Sequence, residues 1–205
     1  MKILVACEFS GVVRRAFRAK GHNAWSCDLL PAEDGSEFHF QGDLSTLKIG
    51  GFPILDWKWD LLIAHPPCTY LCNSGVRWLS PGGVLDQERH KKMQEACDLF
   101  AALYWADIPR VAIENPIMHK YARDYLASAW KVPTFTQSIQ PWQFGHGEVK
   151  RTCLWLRELD PLIPSNIVEG RTARVHRASP GPDRWKERSR TFEGIAKAMS
   201  EQWNF

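Results

Sequence analysis

Leu61-Leu62-Ile63-Ala64-His65-Pro66-Pro67-Cys68-Thr69 is the stretch on which the reading of this chain turns. The apolar run Leu61-Leu62-Ile63 reads as a buried strand, and the two prolines end it. They fix the backbone and remove two N–H donors, so Cys68 stands on a stiff turn and not on more strand. A cysteine held at the carboxyl end of a parallel strand is where open α/β sheets put their chemistry. A second apolar run, Val111-Ala112-Ile113, leads into Glu114-Asn115-Pro116. A thiol on one strand tip and a carboxylate on another make a nucleophile–acid pair.

Working outward, Lys2 to Cys7 has the pattern of a buried strand. Glu8 to Gly11 reads as a turn with Ser10 as N-cap, and Val12 to Lys20 as a helix stopped by Gly21. Asn23 to Asp28 reads as a second strand, and Phe38 to Gln41 as a short third ending at Gly42-Asp43. Asp60 to Ala64 and Arg110 to Glu114 are the fourth and fifth. Leu85 to Ala106 and Met118 to Trp130 carry helical spacing. Phe135 to Ile139 and Thr152 to Leu156 form a closing pair of strands around the turn Phe144 to Gly147. Strands alternating with helices predict an α/β fold with a doubly wound, mostly parallel sheet. The expected organisation is one domain over 1–156, an irregular basic segment over 157–190, and a helix within 191–205 packing back on the same domain.

A chain of 205 residues with 44% hydrophobic residues can bury a real core. The net charge of +3 is too small to argue for nucleic acid by itself. Positive charge gathers late, at Arg171, Arg174, His176, Arg177, Arg184, Lys186, Arg188 and Arg190, with prolines and Trp185 interleaved. That run reads equally as a solvated face or as a phosphate-contacting segment. Six cysteines at irregular spacing, with no signal peptide, predict free thiols in a cytoplasmic protein. No apolar run is long enough to span a bilayer. His65, Cys68 and Cys72 would begin a zinc site, but no second pair of ligands follows, and no metal is expected.

A strand, a small-residue turn and a helix make a nucleotide-type site, because a helix N-terminus offers free N–H groups. Phe9-Ser10-Gly11-Val12-Val13 has one glycine, so close approach of a pyrophosphate is poorly supported. A cofactor without phosphates fits better. Asp28 ends the second strand where a ribose would be held, and Asp43 follows the third where an adenine amino group would be met. S-adenosylmethionine has the ribose, the adenine and no phosphate. The plain alternative is that both aspartates only close turns.

The order Phe9-Ser10-Gly11, Asp28, Gly42-Asp43, Pro66-Pro67-Cys68 and Glu114-Asn115 resembles the DNA (cytosine-5)-methyltransferases, closest to their short, often phage-borne relatives. The resemblance covers roughly residues 1 to 156. It implies a Rossmann-like class I methyltransferase architecture, S-adenosylmethionine as cofactor, and nucleic acid, in the first place DNA, as partner. It implies Cys68 as the nucleophile that adds to carbon 6 of cytosine, and Glu114, with a raised pKa, as the acid at ring N3. Asn115 would orient the Pro66-Pro67-Cys68 loop, and Arg151 or Lys150 would stabilise the base carbonyl or a phosphate. Phe9, Ser10, Gly11, Asp28, Leu29, Asp43 and Pro66 would hold the cofactor. Asn73, Arg77, Lys150, Arg174 and Arg177 would contact the substrate. The chain departs from the family at His65, usually glycine, at Thr69, usually glutamine, and at Pro116, usually valine; a large target-recognition domain is missing. Two other readings remain: a non-catalytic nucleic-acid-binding protein on this fold, and a methyltransferase of a smaller pyrimidine. The loop of amino-methyltransferases, Asp-Pro-Pro-Tyr, is the nearest rival, and His65 and Cys68 stand in its key places.

Overall fold

The computed structural model describes residues 1–177, 179, 181 and 184–205. Ala178, Pro180, Pro182 and Asp183, and the side chains of Val175 and His176, lie outside the described residues. In chain order the elements are β1 (Lys2–Ala6), α1 (Val12–Ala19), β2 (Asn23–Asp28), β3 (His39–Gln41), β4 (Lys48–Ile49), β5 (Phe52–Pro53), β6 (Leu61–Ala64), α2 (Gln87–Tyr104), β7 (Arg110–Asn115), α3 (Lys120–Trp130), β8 (Gln137–Ile139), β9 (Thr152–Arg157), α4 (Arg174–Arg177), α5 (Arg184–Ser189) and α6 (Glu193–Gln202). Seven strands form one sheet in the order β3-β2-β1-β6-β7-β9-β8. β3, β2, β1, β6 and β7 pair parallel, and β9 runs antiparallel to both β7 and β8. The chain winds outward from β1 to β3, then returns to β6 on the other side of β1. The crevice between β1 and β6 is therefore the switch point, where doubly wound sheets bind ligands.

Side-chain alternation along the buried strands divides the core between two faces. Leu4 and Ala6 of β1, Leu62 and Ala64 of β6, and Val111 and Ile113 of β7 pack under α2 and α3. Ile3 and Val5, Leu61 and Ile63, and Ala112 pack under α1 and α6 with Phe17, Ile195 and Met199. The same parity carries past the strand ends, so His65 and Glu114 both belong to the α1/α6 face. The β6–β7 register, Ile63 opposite Ala112 and Ala64 opposite Ile113, makes them the next lateral pair.

Several expected boundaries move for local reasons. Ser10 does not cap α1. Gly11 holds the N-cap position at φ 67°, and no side chain of the cap residue contributes. Helix α2 starts at Gln87 because the Asp86 side chain accepts from the Arg89 N–H. Helix α3 starts at Lys120, later than Met118, because Met118 bridges Cys72 and the His119 side chain caps the helix by accepting from the Ala122 N–H. The segment expected to be irregular contains α4 and α5, and Asn166 and Thr172 bridge Phe144 and Glu148. The small β4–β5 hairpin carries no strong strand pattern in sequence. Arg14, fully buried on α1, donates to Asp34 at 2.6 Å and to Ser26 at 2.9 Å, tying α1 to β2 and the loop beyond it.

Candidate active site

The crevice starts with the end of β1. Cys7 takes φ 58°, a left-handed conformation that turns the chain sharply out of the strand. Glu8 then folds under α1 and is almost fully buried. Its carboxylate accepts from the Val13 N–H at 2.6 Å and from the Arg14 N–H at 3.3 Å. The free helix N-terminus expected for a ligand is thus already occupied by the Glu8 carboxyl group. Burial pushes the Glu8 carboxyl above its usual range, against the opposing pull of His65 and these two N–H groups.

The Cys68 loop is held from three sides. The His65 N–H continues the ladder onto Ala6 O at 3.0 Å, and the Asn115 side-chain amide donates to Pro66 O at 3.0 Å. The His119 N–H donates to Leu71 O at 2.9 Å, the Asn73 N–H to Ile117 O, and His119 Nε2–H to Tyr70 O at 2.9 Å. Arg89 of α2 reaches across to Gly75 O at 3.2 Å and stacks over Tyr70. The loops that follow β6 and β7 are therefore one hydrogen-bonded unit. Cys68 itself is half-buried.

The Cys72 N–H donates to Cys68 O at 3.0 Å, one helical turn on, and the two thiols are hydrogen-bonded to each other. The hydrogen bond from Cys68, with donors from Ser74 and Gly75, lowers the Cys72 thiol despite burial. Cys68 is the protonated partner: the bond to Cys72, burial, and the charges of Cys72 and Glu114 all raise it, and Lys150 opposes them.

Glu114 was expected to have a raised pKa, and the structure reverses that. Burial alone would raise it. The His65 Nδ1–H, donating to Glu114 Oε2 at 2.7 Å, more than offsets burial, helped by the charges of His65 and Lys150 and by the Thr191 hydroxyl at 3.4 Å. The carboxyl is held at about 2. This contact was missed in the sequence, although the shared parity and register of His65 and Glu114 carry its signal.

The remaining expected residues separate into those near this unit and those away from it. Phe9, Ser10 and Gly11 are buried at the β1 turn, and Pro66 is buried just past the end of β6. Asp28 and Asp43 each close an Asx turn, Asp28 accepting from the Leu30 N–H and Asp43 from the Ser45 N–H, both at 2.9 Å. Burial raises Asp28, whereas the Ser45 hydroxyl and N–H lower Asp43. Leu29 is exposed. Asn73 and Arg77 are exposed on the loop after Cys68, with Arg77 over the Trp78 ring. Lys150 and Arg151 point to different partners. Lys150 acts electrostatically on Glu114 and Cys68 and donates to Arg190 O at 3.2 Å, while Arg151 donates to Ser138 Oγ on β8 at 2.8 Å. Arg151 is therefore not brought to the thiol. Arg174 and Arg177 are exposed on α4. Arg174 leans on Glu148 at 3.6 Å and lines a cleft of about 280 Å³ with His146 and Phe192.

Residues late in the chain also reach the crevice. The Trp185 ring lies 6.1 Å from Phe9, and Arg190 pairs with Glu33. Thr191, two residues before α6, donates to Glu114. All six cysteines are free, and no helix among the described residues is long and apolar enough to cross a membrane.

One solved structure similar to this chain is a prophage-encoded protein from E. coli described as a DNA modification methyltransferase, with a TM-score of 0.53 at 16% identity over 82% of this chain. The fold is that of a class I methyltransferase. A methyltransferase from Entamoeba histolytica aligns over 88% of the chain with a TM-score of 0.50 at 14% identity. This chain spans 52% of the first structure and 60% of the second, so about half of their length. No family model matches the chain, and no curated protein does. At these identities the likeness is one of fold. Within the methyltransferase fold, the residues of the crevice fit S-adenosylmethionine better than a phosphate-bearing cofactor. Glu8 has taken the Val13 and Arg14 N–H groups that a phosphate would need. Asp28 stands at the β2 tip, the position from which a carboxylate serves ribose hydroxyls.

Proposed function

We propose that this protein transfers a methyl group from S-adenosylmethionine to carbon 5 of cytosine in DNA, through a covalent adduct on Cys68. The observation that carries this reading is the joining of two strand tips. Asn115 on β7 holds the Pro66 carbonyl of the Cys68 loop, next to Glu114 and within the field of Lys150. Carbon 5 of cytosine is a poor nucleophile. Cys68 loses its thiol proton to solvent and then adds at carbon 6, which forms a C–S bond and leaves an enamine whose carbon 5 is nucleophilic. S-adenosylmethionine supplies an electrophilic methyl group on a sulfonium. Glu114 acts at ring N3 and the exocyclic amine, where charge changes as the adduct forms. Lys150 is the cation for the base carbonyl. Asn73, Arg77, Arg174 and Arg177 would contact the nucleic acid around it. Phe9 to Gly11, Asp28, Leu29, Asp43 and Pro66 would line the cofactor. In duplex DNA the base must leave the stack, at a cost of about a few kcal/mol.

Incubation with methyl-labelled S-adenosylmethionine tests the reading against duplex DNA, single-stranded DNA, RNA and free nucleotides. Label on DNA, together with a protein–DNA adduct when 5-fluorocytosine replaces cytosine, is the expected result. Label on the exocyclic amine without an adduct would make the chain an amino-methyltransferase. Label on free nucleotides alone would move the substrate to a small pyrimidine.

A further inference from the structure

His65 sits at the centre of the proposed site, and the cytosine chemistry outlined above has no role for it. Its backbone N–H is fixed to Ala6 O, and Pro66 restricts its backbone from the other side. Nδ1 donates to Glu114 Oε2 at 2.7 Å, with the two side chains only 10% and 11% exposed. Thr191 donates to the same oxygen, and Glu114 Oε1 carries no hydrogen bond from a described residue. His65 Nε2 is buried with no hydrogen-bond partner among the described residues. The charged groups around the ring are Glu8 from the β1 turn, Glu114 from β7, Asp28 from β2 and Lys150 from the approach to β9. Three carboxyl groups against one ammonium favour an imidazolium.

Resting on the cytosine reading, we infer that His65 is a positioning residue for Glu114. It holds the carboxylate through one oxygen, leaves the other for the substrate ring, and stores the proton that ring N3 takes up when Cys68 adds. A carboxylate can accept from the exocyclic amine but has no proton to give N3. His65 carries one at hydrogen-bond distance. Addition of the thiolate forms the C–S bond and pushes an electron pair toward N3. The His65 Nδ1 proton moves to Glu114 Oε2, the carboxylic acid so formed turns to present that same proton to N3, and its transfer leaves a neutral imidazole and a restored carboxylate. Once carbon 5 has gained the methyl group and lost its own proton to solvent, the C–S bond breaks and Cys68 leaves as thiolate. N3 then returns its proton by the same route. The glycine that the family resemblance leads one to expect at position 65 has no group for this task.

The test uses the full chain and two variants. His65→Asn sets a neutral amide N–H near the place of Nδ1–H, and His65→Ala removes the donor. In wild type the rate of methyl transfer to DNA should fall as pH rises and the imidazolium is lost. In His65→Asn kcat should drop about 100-fold, the scale of general acid–base assistance. Its alkaline limb should vanish, while KM for DNA and the affinity for S-adenosylmethionine stay unchanged. His65→Ala should be slower still. Nitrogen NMR should show the His65 ring as imidazolium at neutral pH in wild type and as neutral imidazole in Glu114→Gln. An active wild type with an indifferent His65→Asn, or with a neutral ring at neutral pH, overturns this inference and leaves the cytosine reading standing. A wild type that methylates no DNA overturns both.

Discussion

The Glu8 carboxylate caps α1 from below the helix, accepting from the Val13 N–H at 2.6 Å. It replaces the serine cap that local sequence suggests, and it fills the place where phosphate-binding folds keep free donors. Glu8→Ala strands buried N–H groups of Val13 and Arg14. Urea unfolding should show a loss of about 1–3 kcal/mol, the usual cost of a buried unsatisfied donor, with Glu8→Gln in between. Equal stability of Glu8→Ala and wild type would mean that another group takes over the cap.

The His65–Glu114 pair should leave a signature in stability against pH. Glu114 is held at about 2, below its ordinary 4.5, so its contribution is present above 4.5 and lost as pH falls through about 2. For His65, burial works downward, but the Glu114 hydrogen bond and charge prevail and raise it above 6.5. Its contribution is present below 6.5 and lost as pH rises through the raised value. The pair therefore stabilises most between 4.5 and 6.5. Melting temperatures of wild type should fall more steeply above pH 6.5 than those of Glu114→Gln. Parallel curves would show that the pair is not ionised.

Asp28→Ala should weaken S-adenosylmethionine binding by about 1–3 kcal/mol, the scale of a lost hydrogen bond to a charged group. Calorimetry on the folded variant reads this directly. Unchanged affinity would leave Asp28 as the turn-closing residue that its bond to the Leu30 N–H already makes it.

Cys68→Ser should keep the fold and abolish the adduct with 5-fluorocytosine DNA. Cys72→Ala removes the partner that raises Cys68 most, so trapping should begin at lower pH than in wild type. A trapping curve unmoved on the pH axis would mean that the two thiols are not coupled.

Gly194 packs so closely that an added Cβ would stand 1.7 Å from the Phe144 carbonyl oxygen. Gly194→Ala must therefore push α6 outward. A destabilisation of about 1–3 kcal/mol is expected from overpacking. Because Thr191 precedes α6, the hydroxyl near Glu114 should move as well. Denaturation midpoints matching wild type would show that the Phe144 turn yields freely.

The strands and the two tips that bear Cys68 and Glu114 were legible in the sequence, because they depend on short-range properties. Apolar runs declare buried strands, and prolines end them wherever they occur. The α/β class follows from the alternation of such segments. Side-chain parity is local too, so His65 and Glu114 could have been assigned to one face from their distance along each strand. What only tertiary structure decided is which strands become neighbours and in what register. Those choices bring Ala64 opposite Ile113, and so His65 to Glu114. The charge state of Glu114 follows from that contact, since burial alone would have shifted it the other way. Lys150 and Arg151 differ for the same reason. Adjacent residues near a strand face opposite sides, and only the assembled sheet determines that the Lys150 charge acts on the Glu114 carboxylate while Arg151 donates to Ser138. Thr191 as a donor also depends on folding, because it meets Glu114, 77 residues away, only when the start of α6 is brought to the end of β7.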